Sequence, residues 1–101
     1  MKKLRCPGLR DFMIIFFHFT DIAAKEDEIR NIMHDFRKGI KIIQIDNMTH
    51  LESLYEELLI SSEEFNNLIN SNESNIEKYN DSHELFKNRY NLIKEFINLY
   101  Y

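Results

Sequence analysis

The sequence predicts an all-α fold, a compact bundle of three or four helices, with residues 1–101 forming a single domain. Two observations predict it. Apolar residues recur at helical spacing along four segments of the chain. The chain is also 44% hydrophobic and 30% charged, as globular domains are, and its two glycines and one proline exclude collagen-like and glycine-loop architectures. We expect residues 1–8 to form a frayed terminus.

The first predicted helix covers roughly residues 9–24, a run rich in phenylalanine. Short apolar runs do not distinguish a helix from a buried strand. The alternative is therefore an α+β fold with short strands near residues 13–19 and 40–45. The helical interpretation depends on apolar residues at helical spacing, namely Leu9, Phe12, Met13, Phe16, Phe19 and Ala23.

The second predicted helix covers roughly residues 25–38. Acidic residues lie at its start and basic residues at its end, which complements the helix dipole. We expect Gly39 to end this helix, and the residues that follow, 40–45, are strand-like in composition. The apolar face of the helix consists of Ile29, Ile32, Met33, Phe36 and Ile40.

The third predicted helix begins at a capping-box pattern, in which Thr49 is followed three residues later by Glu52. A kink is possible at Ser61 and Ser62, because the serines and the glutamates after them are able to restart a helix. One face of this helix is apolar and consists of Leu51, Leu54, Tyr55, Leu58, Phe65, Leu68 and Ile69.

The fourth predicted helix follows a polar turn at residues 70–75 and runs from about Ile76 to the end of the chain. Its main apolar stripe has heptad spacing and consists of Tyr79, His83, Phe86, Tyr90, Ile93, Ile97 and Tyr100. A second stripe lies on another side, and a helix that is apolar on two sides needs two neighbours. This second stripe faces either the bundle or another molecule, such as a second copy, and consists of Leu85, Leu92, Phe96 and Leu99.

Charge is distributed unevenly along the chain, whose net charge is −4. Residues 42–77 contain eight acidic residues and no lysine or arginine, whereas both flanking regions are mildly basic. One interpretation is that the acidic segment packs beside the basic N-terminal segment of the same chain. The other is a docking face for a basic partner. Its candidate residues are Glu52, Glu56, Glu57, Glu63 and Glu64, with Ile60 among them as an apolar anchor.

The sequence contains no residue pattern typical of a phosphate-binding, metal-binding or catalytic site. Phosphate-binding glycine loops are excluded by the isolated Gly8 and Gly39. The four histidines are not spaced as a helical metal clamp, and adjacent exposed glutamates do not make an acid–base pair. We therefore expect no enzyme activity, no metal and no cofactor, and the acidic segment argues against nucleic acid as a partner.

The expected location is intracellular, and cytoplasmic rather than organellar. Cys6 is the single cysteine and cannot form an internal disulfide. Lys2, Lys3 and Arg5 before an apolar run loosely imitate a signal peptide, but Asp11 interrupts the approach to that run and argues against export. No stretch approaches the roughly 20 apolar residues that span a bilayer.

Two short patterns resemble the LYR-motif proteins of mitochondria. These are Leu9-Arg10 and the later Phe36-Arg37, within a likeness that covers about residues 8–69. Gly8 and Leu9 depart from the family pattern, because they stand where leucine and tyrosine belong. The resemblance implies a small three-helix adaptor that binds an acyl carrier protein and assists assembly of iron–sulfur or respiratory complexes.

The sequence as a whole predicts a non-enzymatic interaction protein, namely an adaptor, an inhibitor or a small chaperone. Its partner is expected to be a protein with a basic surface that binds the acidic helix face. The alternatives are a mitochondrial assembly adaptor of the LYR-motif type, or a structural homo-oligomer that associates through the C-terminal helix.

Overall fold

The computed structural model describes residues 9–100 as three α-helices and a short 3₁₀ turn. The helices are α1 (Leu9–Arg37), α2 (Ile45–Asn70) and α3 (Ile76–Ile97), followed by the 3₁₀ turn at Asn98–Tyr100. The predicted all-α bundle is confirmed, and residues 9–100 contain no strand, so the α+β alternative is not favoured. The predicted frayed terminus at residues 1–8, with Cys6, lies outside the described residues.

The three helices form an elongated bundle with principal dimensions of 59 × 19 × 18 Å. Successive helices run antiparallel because the connections between them are short. As a result α1 and α3 are parallel, and their side chains meet in register. Asp21 of α1 contacts His83 of α3, and seven residues later Glu28 contacts Tyr90.

The core consists mainly of apolar residues seven positions apart, the repeat that keeps one seam of each helix facing its neighbours. From Tyr79 to Ile97 the predicted heptad stripe of α3 forms its part of this core, and the predicted apolar face of α2 is buried or half-buried. The buried residues with this spacing are Ile15, Ile22, Ile29 and Phe36 of α1, Leu51, Leu58 and Phe65 of α2, and Tyr79, Phe86 and Ile93 of α3.

Helix α1 is continuous across the predicted boundary between the first two segments. Lys25 lies immediately after that boundary, and its Nζ is 2.7 Å from Asp21 Oδ1 one turn earlier. The buried side of the N-terminal half consists of Ile15 and Ile22. The stripe that predicted this helix, from Leu9 to Ala23, therefore lies on a different side of it and is largely exposed.

Gly39 lies just beyond the end of α1, as predicted. Its φ of +77° is in the left-handed region, which favours glycine. The Gly39 amide donates to the Phe36 carbonyl at 3.1 Å, a pattern typical of helix termination. The helical spacing predicts Ile40 on the apolar face of the second predicted helix, but this residue follows the turn and is exposed.

The start of α2 differs from the prediction, because the capping box does not form. The helix begins at Ile45, four residues before Thr49, and the Thr49 hydroxyl donates to the Ile45 carbonyl at 3.0 Å. Met48 packs against the core from this additional turn. Burial of that side chain favours the longer helix over a start at Thr49.

Helix α2 continues through Ser61 and Ser62, so no second helix starts there. Both serines are buried, and the Ser61 hydroxyl donates to the Glu57 carbonyl at 3.2 Å. The polar turn before α3 is confirmed. It ends at Asn75, whose side chain caps α3 by accepting from the Glu77 amide at 3.0 Å.

Candidate functional site

The outward side of α2 carries the predicted acidic docking residues. All of them are exposed, and Ile60 is 51% exposed between them. Helix periodicity explains the arrangement, because the seam built on Leu51, Leu58 and Phe65 turns the opposite side to solvent. We call this surface the acidic face, and it consists of Glu52, Glu56, Glu57, Ile60, Glu63 and Glu64.

Five of the ten lysines and arginines in residues 9–100 form ion pairs away from the acidic face. Lys94 of α3 contacts Glu28 of α1 at 2.6 Å, Lys78 contacts Glu73, and Arg30 contacts Asp27 within α1. Such pairs are weak individually when exposed. Each of these cations pairs with an acid that does not belong to the acidic face.

One cation from α1 does reach the acidic face. Arg37 Nη2 lies 3.2 Å from Glu52 Oε2, and both side chains are about half exposed. Within residues 9–100, no lysine or arginine forms an ion pair with Glu56, Glu57, Glu63 or Glu64. In the described part of the basic N-terminal segment, Arg37 is the residue that pairs with the acidic face, at Glu52.

Arg89 of α3 holds the seam between α2 and α3 next to the acidic face. Its Nη1 donates to the Glu57 carbonyl at 2.8 Å and to the Ser61 hydroxyl at 2.6 Å. Both acceptors are uncharged, so these two hydrogen bonds join α2 and α3 without involving a carboxylate of the acidic face. Helical periodicity does not predict this contact, although Ser61 stands among the apolar positions of α2, where a small residue lets a long side chain cross the seam.

The second predicted set of docking residues lies along α3 beside the same seam. We call it the α3 stripe: Leu85, Leu92, Phe96 and Leu99. Leu92 and Leu99 are 53% and 75% exposed, and Leu85 is 38% exposed. Phe96 is half-buried and stacks edge-on against His50 of α2, with 4.8 Å between the ring centroids.

Two shallow grooves lie between α2 and α3. One has a volume of about 340 Å³ and places Glu64 and Leu68 of α2 opposite Leu85 of α3, with Lys78 at its side. The other, of about 400 Å³, places His50 and Leu54 of α2 beside the rest of the α3 stripe and contains no residue of the acidic face. The two predicted sets therefore meet at Glu64 and Leu85.

Two histidines that are distant in sequence meet between α1 and α3. The ring centroids of His18 and His83 are 4.3 Å apart. His83 is only 5% exposed and bonds Asp21 at 2.7 Å, while His18 Nε2 bonds Asn80 at 2.7 Å. The predicted packing role of His83 is confirmed. His18 has a buried Nδ1 with no hydrogen-bond partner.

The environment of this pair shifts the pKa values of its members. Burial lowers the pKa of His83 below its usual value of 6.5, although the hydrogen bond with Asp21 opposes this shift. Burial raises the pKa of Asp21, but hydrogen bonds with Lys25 and His83 outweigh it and the net shift is downward. Within residues 9–100, no cluster of three or more metal-ligating side chains forms.

A second polar contact between α1 and α3 involves Glu28, Tyr90 and Lys94. Glu28 accepts hydrogen bonds of 2.6 Å from both the Tyr90 hydroxyl and Lys94 Nζ. These bonds, the one from Lys94 first, lower the pKa of Glu28. Burial and then the bond to Glu28 raise the pKa of Tyr90 to about 12. The contact fixes the register of the two parallel helices.

Comparison with known proteins gives no family for this chain. No protein-family model matches it, and neither a curated protein nor a solved structure matches it. The resemblance to the LYR-motif proteins stays a prediction. Among the described residues, no helix is both long and apolar enough to cross a membrane. Function is therefore inferred from the geometry of the bundle.

Proposed function

We propose that this chain is a non-enzymatic interaction protein that binds a protein with a basic surface through the acidic face. The proposal depends on the exposure and the ion pairing of four glutamates. Glu56, Glu57, Glu63 and Glu64 are exposed, and no lysine or arginine of residues 9–100 forms an ion pair with them. Their charge is available to a partner, which fits an adaptor, an inhibitor or a small chaperone.

The mechanism has two steps, of which the first is electrostatic. Clustered carboxylates attract a basic partner over about one Debye length, about 8 Å at physiological salt, and raise the rate of encounter. Rim charges of this kind mainly affect association and its salt dependence.

The second step is apolar anchoring. Ile60 lies half exposed among the glutamates and offers a small contact that is desolvated on binding. The groove between Glu64 and Leu85 continues this surface onto the α3 stripe. A basic partner with apolar side chains between its cations fits this combination of charge and groove.

The proposal is tested with a triple variant of the acidic face, Glu56→Gln, Glu63→Gln and Glu64→Gln. Wild type and variant are used to capture proteins from a lysate, and recovery is quantified by mass spectrometry. Basic proteins recovered by the wild type are then titrated as purified partners. We expect affinity to fall about tenfold in the variant, since three exposed charge pairs contribute about 0.2–1 kcal/mol each.

The matched control removes the same charge outside both grooves, with Glu77→Gln and Glu84→Gln on α3 and Asp27→Asn on α1. The control should bind the partner as the wild type does. Wild-type binding should also weaken from about 0.1 M to about 1 M salt, as the Debye length falls from about 10 Å to about 3 Å. Equal losses in both variants, or binding insensitive to salt, would contradict a docking role for the acidic face.

A further inference from the structure

The N-terminal half of α1 exposes a large uncharged surface. Phe16 and Phe17 are 62% and 68% exposed, and their apolar neighbours on this side are exposed as well. The bundle does not need these side chains, because the same half of α1 packs through Ile15 and Ile22. We call this surface the aromatic face, and it consists of Leu9, Phe12, Met13, Phe16, Phe17, Phe19 and Ala23.

The size of the aromatic face matches one side of a protein interface. A phenylalanine offers about 150–250 Å², so its four phenylalanines with Leu9 and Met13 leave roughly 800 Å² of side chain in solvent. The largest apolar patch on a typical monomer is about 300–600 Å². A standard interface buries about 800 Å² on each partner.

A groove runs along the aromatic face. Its volume is about 260 Å³, and every side chain that lines it is apolar, four from α1 and Ile69 from α2. Next to it, apolar residues of α1 recur at alternating spacings of three and four, the pattern of a seam between two packed helices. The residues with this spacing are Leu9, Phe12, Phe16, Phe19 and Ala23.

The charges around the aromatic face indicate which occupant fits. Residues 9–24 contain Asp11 and Asp21 and one cation, Arg10, and the adjoining residues 63–70 of α2 contain two glutamates and no cation. An anionic lipid surface is recognised by several cations beside an apolar helix face, whereas acids outnumber cations four to one in these described segments. An uncharged apolar face is matched by another, and a second copy of this chain carries one.

We propose that the aromatic face is the interface of a homodimer, in which the N-terminal halves of two α1 helices pack antiparallel about a two-fold axis near Phe16. The same surface then serves both copies, as a two-fold interface requires. Antiparallel packing also follows from the extent of the face. In a parallel pair the charged residues 26–30 would lie against the same charged residues of the second copy.

The homodimer is tested by sedimentation velocity of the full chain over a concentration series. The wild type should dimerise, and Phe16→Glu should weaken dimerisation at least a hundredfold, because a carboxylate would be buried at the centre of the interface. Phe16 is exposed, so the variant should fold, which its circular dichroism checks. The matched control, Leu92→Glu, places the same charge on a similarly exposed leucine of the α3 stripe and should stay dimeric.

A cross-linking experiment locates the axis. In a Cys6→Ser background, Phe16→Cys should form a disulfide-linked dimer on mild oxidation, whereas Leu92→Cys should not. Dimerisation should also persist or strengthen as salt rises, since each copy carries a net charge of −4. This response is opposite to that expected of the acidic face, so failure of one proposal is distinguishable from failure of the other.

Three outcomes would overturn the homodimer. A wild type that is monomeric at every concentration leaves the aromatic face without its proposed occupant. A dimer that Leu92→Glu dissociates and Phe16→Glu does not would place the interface on the α3 stripe. A monomer that sediments with phosphatidylcholine–phosphatidylglycerol vesicles, and loses this property in Phe16→Glu, would assign the aromatic face to a lipid surface.

Discussion

The aromatic face of α1 and the acidic face of α2 are both outward sides of long helices in one bundle, yet they differ in charge. The first exposes aromatic rings and carries no charged side chain. The second exposes five glutamates, of which one has an ion pair with a cation of the described chain. The inward sides of the two helices, in contrast, follow the same seven-residue spacing of apolar residues.

This difference teaches that the fold places no constraint on what an outward helix side carries. Since packing needs only the inward seams, each outward side is free to suit a different partner. Apolar burial does not require opposite charge and is strengthened by some salts, whereas exposed charge attraction is screened. The two faces should therefore be separable by salt and by mutation.

The largest expected effect distinguishes inward from outward phenylalanines. Phe65 of α2 is fully buried, with its ring centroid 5.6 Å from that of Tyr79 and 6.3 Å from that of His18. Phe65→Ala should lower the free energy of unfolding by about 3–5 kcal/mol, measured by urea denaturation of dilute protein. Phe17→Ala should change it by about 0.5 kcal/mol or less. Comparable losses would mean that the aromatic face supports the fold of the monomer.

The next effect concerns pH and the contact between α1 and α3. Because burial lowers the pKa of His83 below 6.5, the unfolded chain binds a proton more readily than the folded chain. The contribution of neutral His83 to the free energy of unfolding should therefore be at its full value above pH 6.5. It should decrease as pH falls below this value. Three charged or titratable neighbours act on this residue: Asp21, His18 and Lys87.

Chemical denaturation between about pH 8 and about pH 5 checks this prediction. His83→Gln keeps a group that is able to donate to Asp21 but does not titrate, so it should flatten the pH dependence. His34→Gln, at an exposed position of α1, is the control and should keep the wild-type dependence. Asp21 loses its charge only at lower pH, below its usual pKa of 3.8, and therefore outside this pH range. An unchanged slope in His83→Gln would refute the assignment.

The smallest effect addresses whether the acidic face contributes to stability. Glu56 lies one turn after Glu52, and like charges at this spacing repel on a helix. Glu56→Lys should raise the free energy of unfolding by about 0.2–0.5 kcal/mol, because it replaces the repulsion with a favourable pair. The same variant should bind a basic partner more weakly. Destabilisation instead would indicate that the carboxylate supports the bundle.

The sequence predicted the helices better than it predicted their ends. Gly39 and the turn before Ile76 mark boundaries that the structure has, because glycine conformation and asparagine capping are local properties. Thr49 and Glu52 have equally good local chemistry, but burial of Met48 extends α2 past them. Capping contributes about 1 kcal/mol, so the packing of one additional turn is enough to override it.

The candidate site was also predicted only in part. The positions of the glutamates on one side of α2 follow from helix periodicity. Which of them pair with cations of the described chain does not, since Arg37 reaches Glu52 across 15 residues and Lys94 reaches Glu28 across 66. Arg89 crosses to Ser61 for the same reason, as their separation of 28 residues leaves no periodic signal.

By itself, the sequence determined that this protein is helical, that α2 has one acidic side and that α3 has a heptad core, because these are properties of spacing within one helix. Only the tertiary structure decided which of two apolar sides of α1 is buried. The side with Ile15 and Ile22 continues the seam of Ile29 and Phe36. A helix that packs against two neighbours through one continuous seam leaves the apolar residues on its other side exposed. The phenylalanines therefore stay outside, and the meeting of His18 with His83 likewise depends on how parallel helices align.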